Sequence, residues 1–252
     1  MSAEVAADDT MQGLQRSLLL TLESLRTQWT PEGHAALLAR MDLLPDAPRR
    51  TWRLQAGRIG ALAPGPDLRW LAVAAEGGTF VLSPDAASAP LKLNPSGHGD
   101  VATLAASPDG HWLAARCDVE VCLYDTADWQ VAPRLPVPPP ARSFLAFSRD
   151  GRWLAAVSFR PPVMKLYDTA TWQERASVEM ETAPAWVLRF GLDGKLIATS
   201  GSGRLGLWRT DGLQPLASLE ISNSWGEPLA FAPDGRTLAV QGEGNTLQLV
   251  EV

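Results

Sequence analysis

One hydrophobic and polar pattern repeats five times along this chain. An aspartate in a polar turn anchors each copy, with an apolar segment before the turn and another after it. The anchors are separated by 42, 41, 43 and 41 residues: Asp67, Asp109, Asp150, Asp193 and Asp234. A leucine precedes each anchor by five residues: Leu62, Leu104, Leu145, Leu188 and Leu229. A period near 42 residues is typical of stacked β-repeats.

Each repeat predicts a small antiparallel sheet. In the third repeat, two apolar runs within residues 143–157 flank Asp150 and Gly151, as expected for a β-hairpin. A third strand follows at residues 164–168, then a polar turn and a short fourth strand. Because such a sheet has apolar residues on both faces, it has to stack on copies of itself to bury them. Radial stacking of these units gives a β-propeller.

The turn and strand motifs resemble those of the WD-repeat family. The runs that carry the resemblance are Ser-Pro-Asp-Gly at 107–110, Ala-Pro-Asp-Gly at 232–235, Leu-Tyr-Asp at 123–125 and 166–168, Leu-Trp at 207–208, and Gly97-His98. The resemblance implies a mainly β fold over residues 49–252: a five-bladed, or incomplete seven-bladed, WD-repeat β-propeller. Its repeats lie near 51–90, 91–130, 131–174, 175–215 and 216–252.

Blades of this family often contain a hydrogen-bonded set of His, Ser or Thr, Asp and Trp. By resemblance, His98 and Asp118 occupy two of these positions in the second repeat, where Ala115 stands at the hydroxyl position. The fourth repeat keeps Thr199 and Trp208. Since the sets are incomplete, we expect packing to hold the blades together. His98, Asp118 and the five anchor aspartates are then structural residues.

The two ends of the repeat array also differ from the family pattern. Ser83 in repeat one and Val250 in repeat five stand at the tryptophan position. Residues 51–54 precede repeat one at the place of a fourth strand. We expect this segment to complete the last blade, which would otherwise expose unpaired backbone groups.

Residues before the repeats have a different pattern. Residues 1–11 are expected to be disordered. Leu18, Leu22 and Leu25 have helical spacing, and Thr30-Pro31-Glu32 is a helix start, so residues 12–48 predict a small helical hairpin and linker. This pair resembles the segment before propellers in bacterial STAND- and NACHT-type signalling NTPases. The resemblance implies that the chain is the C-terminal sensing region of a longer bacterial protein.

Composition excludes several classes of partner. The net charge is −6, and the lysines and arginines are scattered, which argues against nucleic acid. No secretory leader or long apolar run is evident, so we expect a cytoplasmic protein without a membrane partner. Cys117 and Cys122 fit neither a zinc site nor a disulfide framework. We expect two buried thiols, with a hairpin-bridging disulfide as the alternative, and no metal or cofactor.

No motif in the chain places a catalytic group. Residues 191–195 lack the length and hydroxyl of a phosphate-binding P-loop, and no Gly-x-Ser-x-Gly elbow occurs. His98 beside Asp118 is a candidate base without a nucleophile. We therefore expect a non-enzymatic scaffold or sensor that binds a protein partner. The alternative is a small-molecule-binding or hydrolytic propeller that uses the central channel.

Binding residues are expected in the loops where the repeats differ. In propellers, the loops before the first strand and between the second and third strands surround one mouth of the channel, and loops on a rigid scaffold usually carry recognition. Tryptophan and arginine are frequent interface hot spots. The candidate partner surface is Trp186, Trp225, Arg160, Arg204 and Glu243. Trp70, Trp112 and Trp153 recur three residues after their anchors and are predicted to be structural.

Overall fold

The chain divides into two compact units, Met1–Arg53 and Leu54–Val252. The structure is a computed structural model, and it describes residues 51–83, 89–94, 103–117, 120–136, 143–158, 161–180, 187–201, 203–221, 229–241 and 246–252. The predicted disordered segment at 1–11 and the helical hairpin and linker at 12–48 lie outside these residues. Both stay predictions.

Antiparallel sheets build the second unit, and in each sheet the strands pair in sequence order. The first sheet contains β1 (Ile59–Pro64), β2 (Leu71–Ala75), β3 (Gly78–Leu82) and β4 (Leu91–Asn94). The second contains β5 (Leu104–Ala106), β6 (Trp112–Cys117), β7 (Glu120–Asp125) and β8 (Val131–Pro136). The third contains β9 (Ser143–Phe147), β10 (Trp153–Ser158), β11 (Val163–Asp168) and β12 (Glu174–Glu179).

The fourth sheet contains β13 (Val187–Phe190), β14 (Leu196–Gly201), β15 (Arg204–Arg209) and β16 (Pro215–Glu220). The fifth has three strands within the described residues: β17 (Leu229–Phe231), β18 (Thr237–Gln241) and β19 (Leu247–Glu251). A short 3-10 helix, Pro66–Leu68, follows β1. In the part of the chain that the structure describes, no helix combines the length and apolar character needed to cross a lipid bilayer.

Hydrogen bonds in the first turn of four of the five sheets explain the repeated aspartate. The Asp150 carboxylate accepts hydrogen bonds from the Ser148 hydroxyl (2.5 Å) and the Arg152 backbone N–H (3.1 Å). Ser148 Oγ in turn accepts from the Trp153 N–H (2.9 Å), while Gly151 has a positive φ of 73°. The same bonds recur in the second sheet at Ser107, Asp109, His111 and Trp112. In the second and third sheets, this turn chemistry therefore joins the first two strands.

Sequence repeats and sheets are offset by one strand. The repeat boundaries at 91, 131, 175 and 216 fall within one residue of the starts of β4, β8, β12 and β16. Each of these strands is the last strand of the preceding sheet. One repeat therefore completes one sheet and begins the next, which links neighbouring sheets covalently.

Apolar clusters between consecutive sheets form the core. The first strands of neighbouring sheets lie side by side, from β1 and β5 through to β13 and β17. Between the third and fourth sheets, for example, Leu166, Leu188 and Ile197 are buried together. The alanine that follows the apolar residue of the second strand is fully buried in four sheets, at Ala72, Ala114, Ala155 and Ala198. The next sheet packs so closely at this position that the space holds no side chain larger than a methyl group.

The structure corrects the prediction of two free thiols. Cys117 and Cys122 form a disulfide across β6 and β7, with their Cα atoms 5.7 Å apart. The strand register pairs Cys122 with Ala115 and Cys117 with Glu120. Because Ala115 and Cys117 share a face of the sheet, the two sulfur atoms are diagonal neighbours. The register of the hairpin, which the five-residue spacing does not define, brings them together.

Two further expectations about the ends of the array are wrong. Residues 51–54, predicted as a strand, have no regular secondary structure. A strand forms only where another strand supplies hydrogen bonds, and a local pattern does not specify that partner. Strand pairing also locates the tryptophan position. In the fourth sheet Trp208 pairs with Ile197, and in the first sheet Leu82 pairs with Leu71, which is the residue equivalent to Ile197. Leu82 rather than Ser83 therefore occupies this position.

Candidate functional site

Of the five residues predicted to form a partner surface, the structure describes Arg204. Trp186, Trp225, Arg160 and Glu243 lie outside the described residues, as do the predicted structural residues His98 and Asp118. The roles of these six residues stay predictions. Arg204 begins β15, next to the turn that joins it to β14.

Arg204 lines a cleft of about 460 Å³ between the third and fourth sheets. The end of the third sheet forms one wall, and the last three strands of the fourth sheet form the other. The lining residues are Val178, Glu179, Met180, Thr199, Ser200, Gly201, Arg204, Gly206, Trp208, Pro215, Leu216, Ala217 and Ser218. The cleft thus opens in an otherwise close-packed junction between two sheets.

Gly206 sets the packing of Thr199 and Trp208 at one wall of this cleft. Gly206 pairs with Thr199 in the ladder between β14 and β15. The corresponding residues of the other sheets all have larger side chains: Phe80, Cys122, Lys165 and Gln248. A Cβ atom at position 206 would lie 2.9 Å from both Thr199 Oγ1 and Trp208 Nε1. Glycine is therefore required for the arrangement of these two neighbours.

Trp208 forms an aromatic wall of the cleft. Its indole Nε1 donates a hydrogen bond to the buried Thr199 hydroxyl at 3.0 Å. This is the part of the blade-locking set that the resemblance implied for the fourth repeat. The bond satisfies the indole N–H inside the sheet junction and holds the ring in one orientation.

Charged side chains of both signs lie at the rim. Arg204 Nη2 is 3.3 Å from Glu220 Oε1, and the two side chains are 43% and 84% exposed. An ion pair this exposed is worth about 0–1 kcal/mol, because water screens it. The Arg204 guanidinium can therefore exchange Glu220 for a carboxylate or carbonyl oxygen of a partner at little cost. Glu179 lies on the opposite wall.

The outer side of the cleft is an exposed strand. β16 is the edge strand of the fourth sheet, and every residue from Pro215 to Glu220 is exposed. Leu216, at the irregularity in the pairing of β15 with β16, is 45% exposed beside the cleft. Edge strands are common sites for pairing with an extended segment of another protein.

Two comparisons with known proteins agree with this architecture. The family model described as "WD domain, G-beta repeat" matches residues 91–125, which run from β4 through β7. The hydrazine synthase of Kuenenia stuttgartiensis is similar in structure, with a TM-score of 0.60 at 14% identity. The fold is that of a WD-repeat β-propeller. The similarity covers 78% of this chain and 58% of that chain, and at this identity it concerns the fold alone. Among curated protein sequences, none matches.

The anchor aspartates of the propeller lie in separate hairpin turns. Asp193 accepts the backbone N–H of Lys195 at 3.0 Å, and Asp234 accepts that of Arg236 at 2.8 Å. The backbone of Asp67 lies in the 3-10 helix Pro66–Leu68. Among the described residues, no three His, Cys, Asp or Glu side chains are grouped to hold a metal ion.

Hydrogen bonds to two of these aspartates lower their pKa values. Burial disfavours the charged form of Asp109, but hydrogen bonds from the Ser107 hydroxyl and the His111 N–H outweigh it and hold the pKa below its ordinary value. A hydrogen bond from the Thr237 hydroxyl is the main cause of the lowered pKa of Asp234. Both carboxylates are therefore stabilised as turn acceptors.

Arg204, whose binding role stays a prediction, is the one residue of the cleft lining that the sequence analysis selected for the partner surface. The signal that could have found the rest of the cleft is Gly206, where the aligned repeats place larger residues. The neighbouring residues Val178 and Leu216 come from strands, and Met180 follows one directly; no local motif connects these segments to Arg204.

Proposed function

We propose that this propeller is a non-catalytic protein-interaction module that binds an extended segment of a partner beside Arg204. Repeats of the WD type generally mediate protein–protein contacts. The observation that carries the proposal is the cleft of about 460 Å³ that opens beside an exposed edge strand. Its volume lies within the range of ordinary ligand-binding clefts.

The contacts available in the cleft suit a peptide. Val178, Met180 and the Trp208 ring offer an apolar surface for one anchoring side chain. β16 offers main-chain hydrogen bonds along its outer edge. Arg204 offers a guanidinium to a carboxylate or carbonyl oxygen. Together they combine an apolar anchor, backbone pairing and a charged contact, which is the usual set for recognition by strand addition.

The proposed role is that of a scaffold or sensor. The link to a bacterial signalling NTPase was implied by residues 12–48, which lie outside the described residues, and it stays a prediction. A cytoplasmic location likewise stays a prediction.

A random-peptide display library, selected on the full chain, tests the proposed function. We expect enriched peptides that carry an apolar anchor residue and an acidic residue. Arg204→Glu and Leu216→Glu should each weaken binding of a synthesised enriched peptide by more than about tenfold, because both contacts lie in the cleft. Arg209→Glu, at the other end of β15, is the matched control and should bind as the wild type does.

Thermal unfolding of each variant separates binding from folding. Arg204, Leu216 and Arg209 are exposed, so all three variants should unfold close to the wild-type temperature. The proposal fails if the library gives no binder, or if enriched peptides bind equally well to both cleft variants.

A further inference from the structure

The third strand of the fifth sheet exposes two leucines whose counterparts are buried in every other sheet. Leu247 and Leu249 are 71% and 68% exposed. By strand register, Leu249 corresponds to Leu207 and Leu166, which are 5% and 0% exposed. These counterparts are buried because the following sheet packs on them. The fifth sheet therefore leaves exposed the face on which, in the other four sheets, the next sheet packs.

The first sheet exposes the opposite kind of face. Leu62, one of the five repeated leucines, is 59% exposed, whereas the other four are 8% exposed or less. Leu145 and Leu188, for example, pack into the clusters that they share with the preceding sheets. The first sheet thus leaves exposed the face that, in the other four sheets, packs on the preceding sheet.

The charges beside the two faces are opposite in sign. By alternation along β19, Glu251 shares a face with Leu247 and Leu249. On the first sheet, the cross-strand pairs place Leu62, Phe80 and Lys92 on one face, with the Lys92 ammonium 5.8 Å from the centre of the Phe80 ring. The two surfaces therefore match in apolar character and in charge.

We propose that these two faces bind each other between copies of the chain, with the fifth sheet of one copy receiving the first sheet of another. The same two kinds of face already pack together at four junctions within each chain, between sheets one to five. A second copy is the partner that necessarily carries both matching faces. Such a head-to-tail interface is heterologous, so it leads to a ring or to a growing assembly. This surface is separate from the Arg204 cleft.

Light scattering of the full chain over a wide concentration range tests the proposal. We expect the wild type to associate, and Leu62→Glu and Leu249→Glu each to weaken association by more than about tenfold, because a carboxylate would be buried without a partner. Val131→Glu is the matched control, since Val131 is 47% exposed on β8, away from both faces.

Mixing the two variants identifies the geometry of the interface. A Leu249→Glu copy retains an intact first sheet, and a Leu62→Glu copy retains an intact fifth sheet. The mixture should therefore form one intact junction and give a one-to-one dimer that does not grow. Circular dichroism checks that both variants are folded, as expected for substitutions at exposed positions.

Three outcomes would overturn the proposal. The first is a wild-type chain that stays monomeric at every concentration, as it would if the two faces packed on each other within one copy. The second is association of both single variants at wild-type strength. The third is a mixture that gives no one-to-one dimer, because a head-to-tail contact requires one.

Discussion

The Trp172 ring, in the turn between β11 and β12, packs edge-on against Trp112 of the preceding sheet, with ring centroids 5.2 Å apart. Trp129 packs in the same way against Trp70 at 5.3 Å. Leu213 is the equivalent residue of the fourth sheet and is buried. All three turn residues have positive φ, at 56° for Trp172, 60° for Trp129 and 52° for Leu213. One strained turn position thus contacts the preceding sheet at successive junctions.

Removing the Trp172 ring should destabilise the propeller. We expect Trp172→Ala to lower the free energy of unfolding by about 2–4 kcal/mol, since the substitution leaves a gap against Trp112 and Phe147. Trp172→Phe keeps an aromatic ring and should recover about half of the loss. Urea denaturation measures both variants. A loss below about 0.5 kcal/mol for Trp172→Ala would show that the ring contact contributes little.

The positive φ at Trp172 predicts an unusual order of two substitutions. Trp172→Gly should be more stable than Trp172→Ala by roughly 0.5–1 kcal/mol, because glycine adopts the left-handed conformation without a Cβ penalty. In the exposed strand β16, Ala217→Gly is the comparison and should instead lose about 0.5–1 kcal/mol. Urea denaturation of the three variants measures these differences. The prediction would be contradicted if the glycine variant were less stable than the alanine form at both positions.

Reduction of the Cys117–Cys122 disulfide should lower stability to a limited degree. The bridge closes a short loop, so the chain-entropy estimate of its contribution is about 2 kcal/mol. We expect a lower melting temperature when a reductant is added to the wild type. Cys117→Ala combined with Cys122→Ala is the control and should melt at the same temperature with and without reductant. Reductant-independent melting of the wild type would be inconsistent with the bridge.

Acid should weaken the turn at Asp109. Its pKa is lowered in the folded chain, so the unfolded state takes up a proton at higher pH than the folded state. The hydrogen bonds to the Asp109 carboxylate therefore stabilise the fold fully above the ordinary aspartate pKa of about 3.9. This stability is lost as the pH falls through the lower pKa that Asp109 has in the folded chain. Asp109→Asn removes this titration. We expect a shallower dependence of unfolding free energy on pH between about 5 and about 3; an unchanged slope would contradict the assignment.

Much of the fold could be predicted because its local rules recur. Asp150 and Gly151 predict a hairpin turn by their own chemistry, and the structure has that turn. Thr199 and Trp208 were expected to pair through resemblance to the family, and they do.

The cleft and the two exposed faces could not be predicted in the same way. Leu62 holds the same repeat position as Leu145, yet it is 59% exposed because none of the described sheets packs on it. Likewise, the sequence around Gly206 does not show that Met180 lines the same cleft. These properties belong to the junctions between sheets, which join residues that are distant in sequence.

The sequence by itself determined the repeat, the hairpin turns and the stacking of sheets, because turn chemistry and hydrophobic alternation act over a few residues. Tertiary structure alone decided the Cys117–Cys122 disulfide, the cleft beside Arg204 and the exposure of Leu249. Each of these depends on strand register or on the presence of a neighbouring sheet. Identical local patterns therefore have different surroundings in the folded chain.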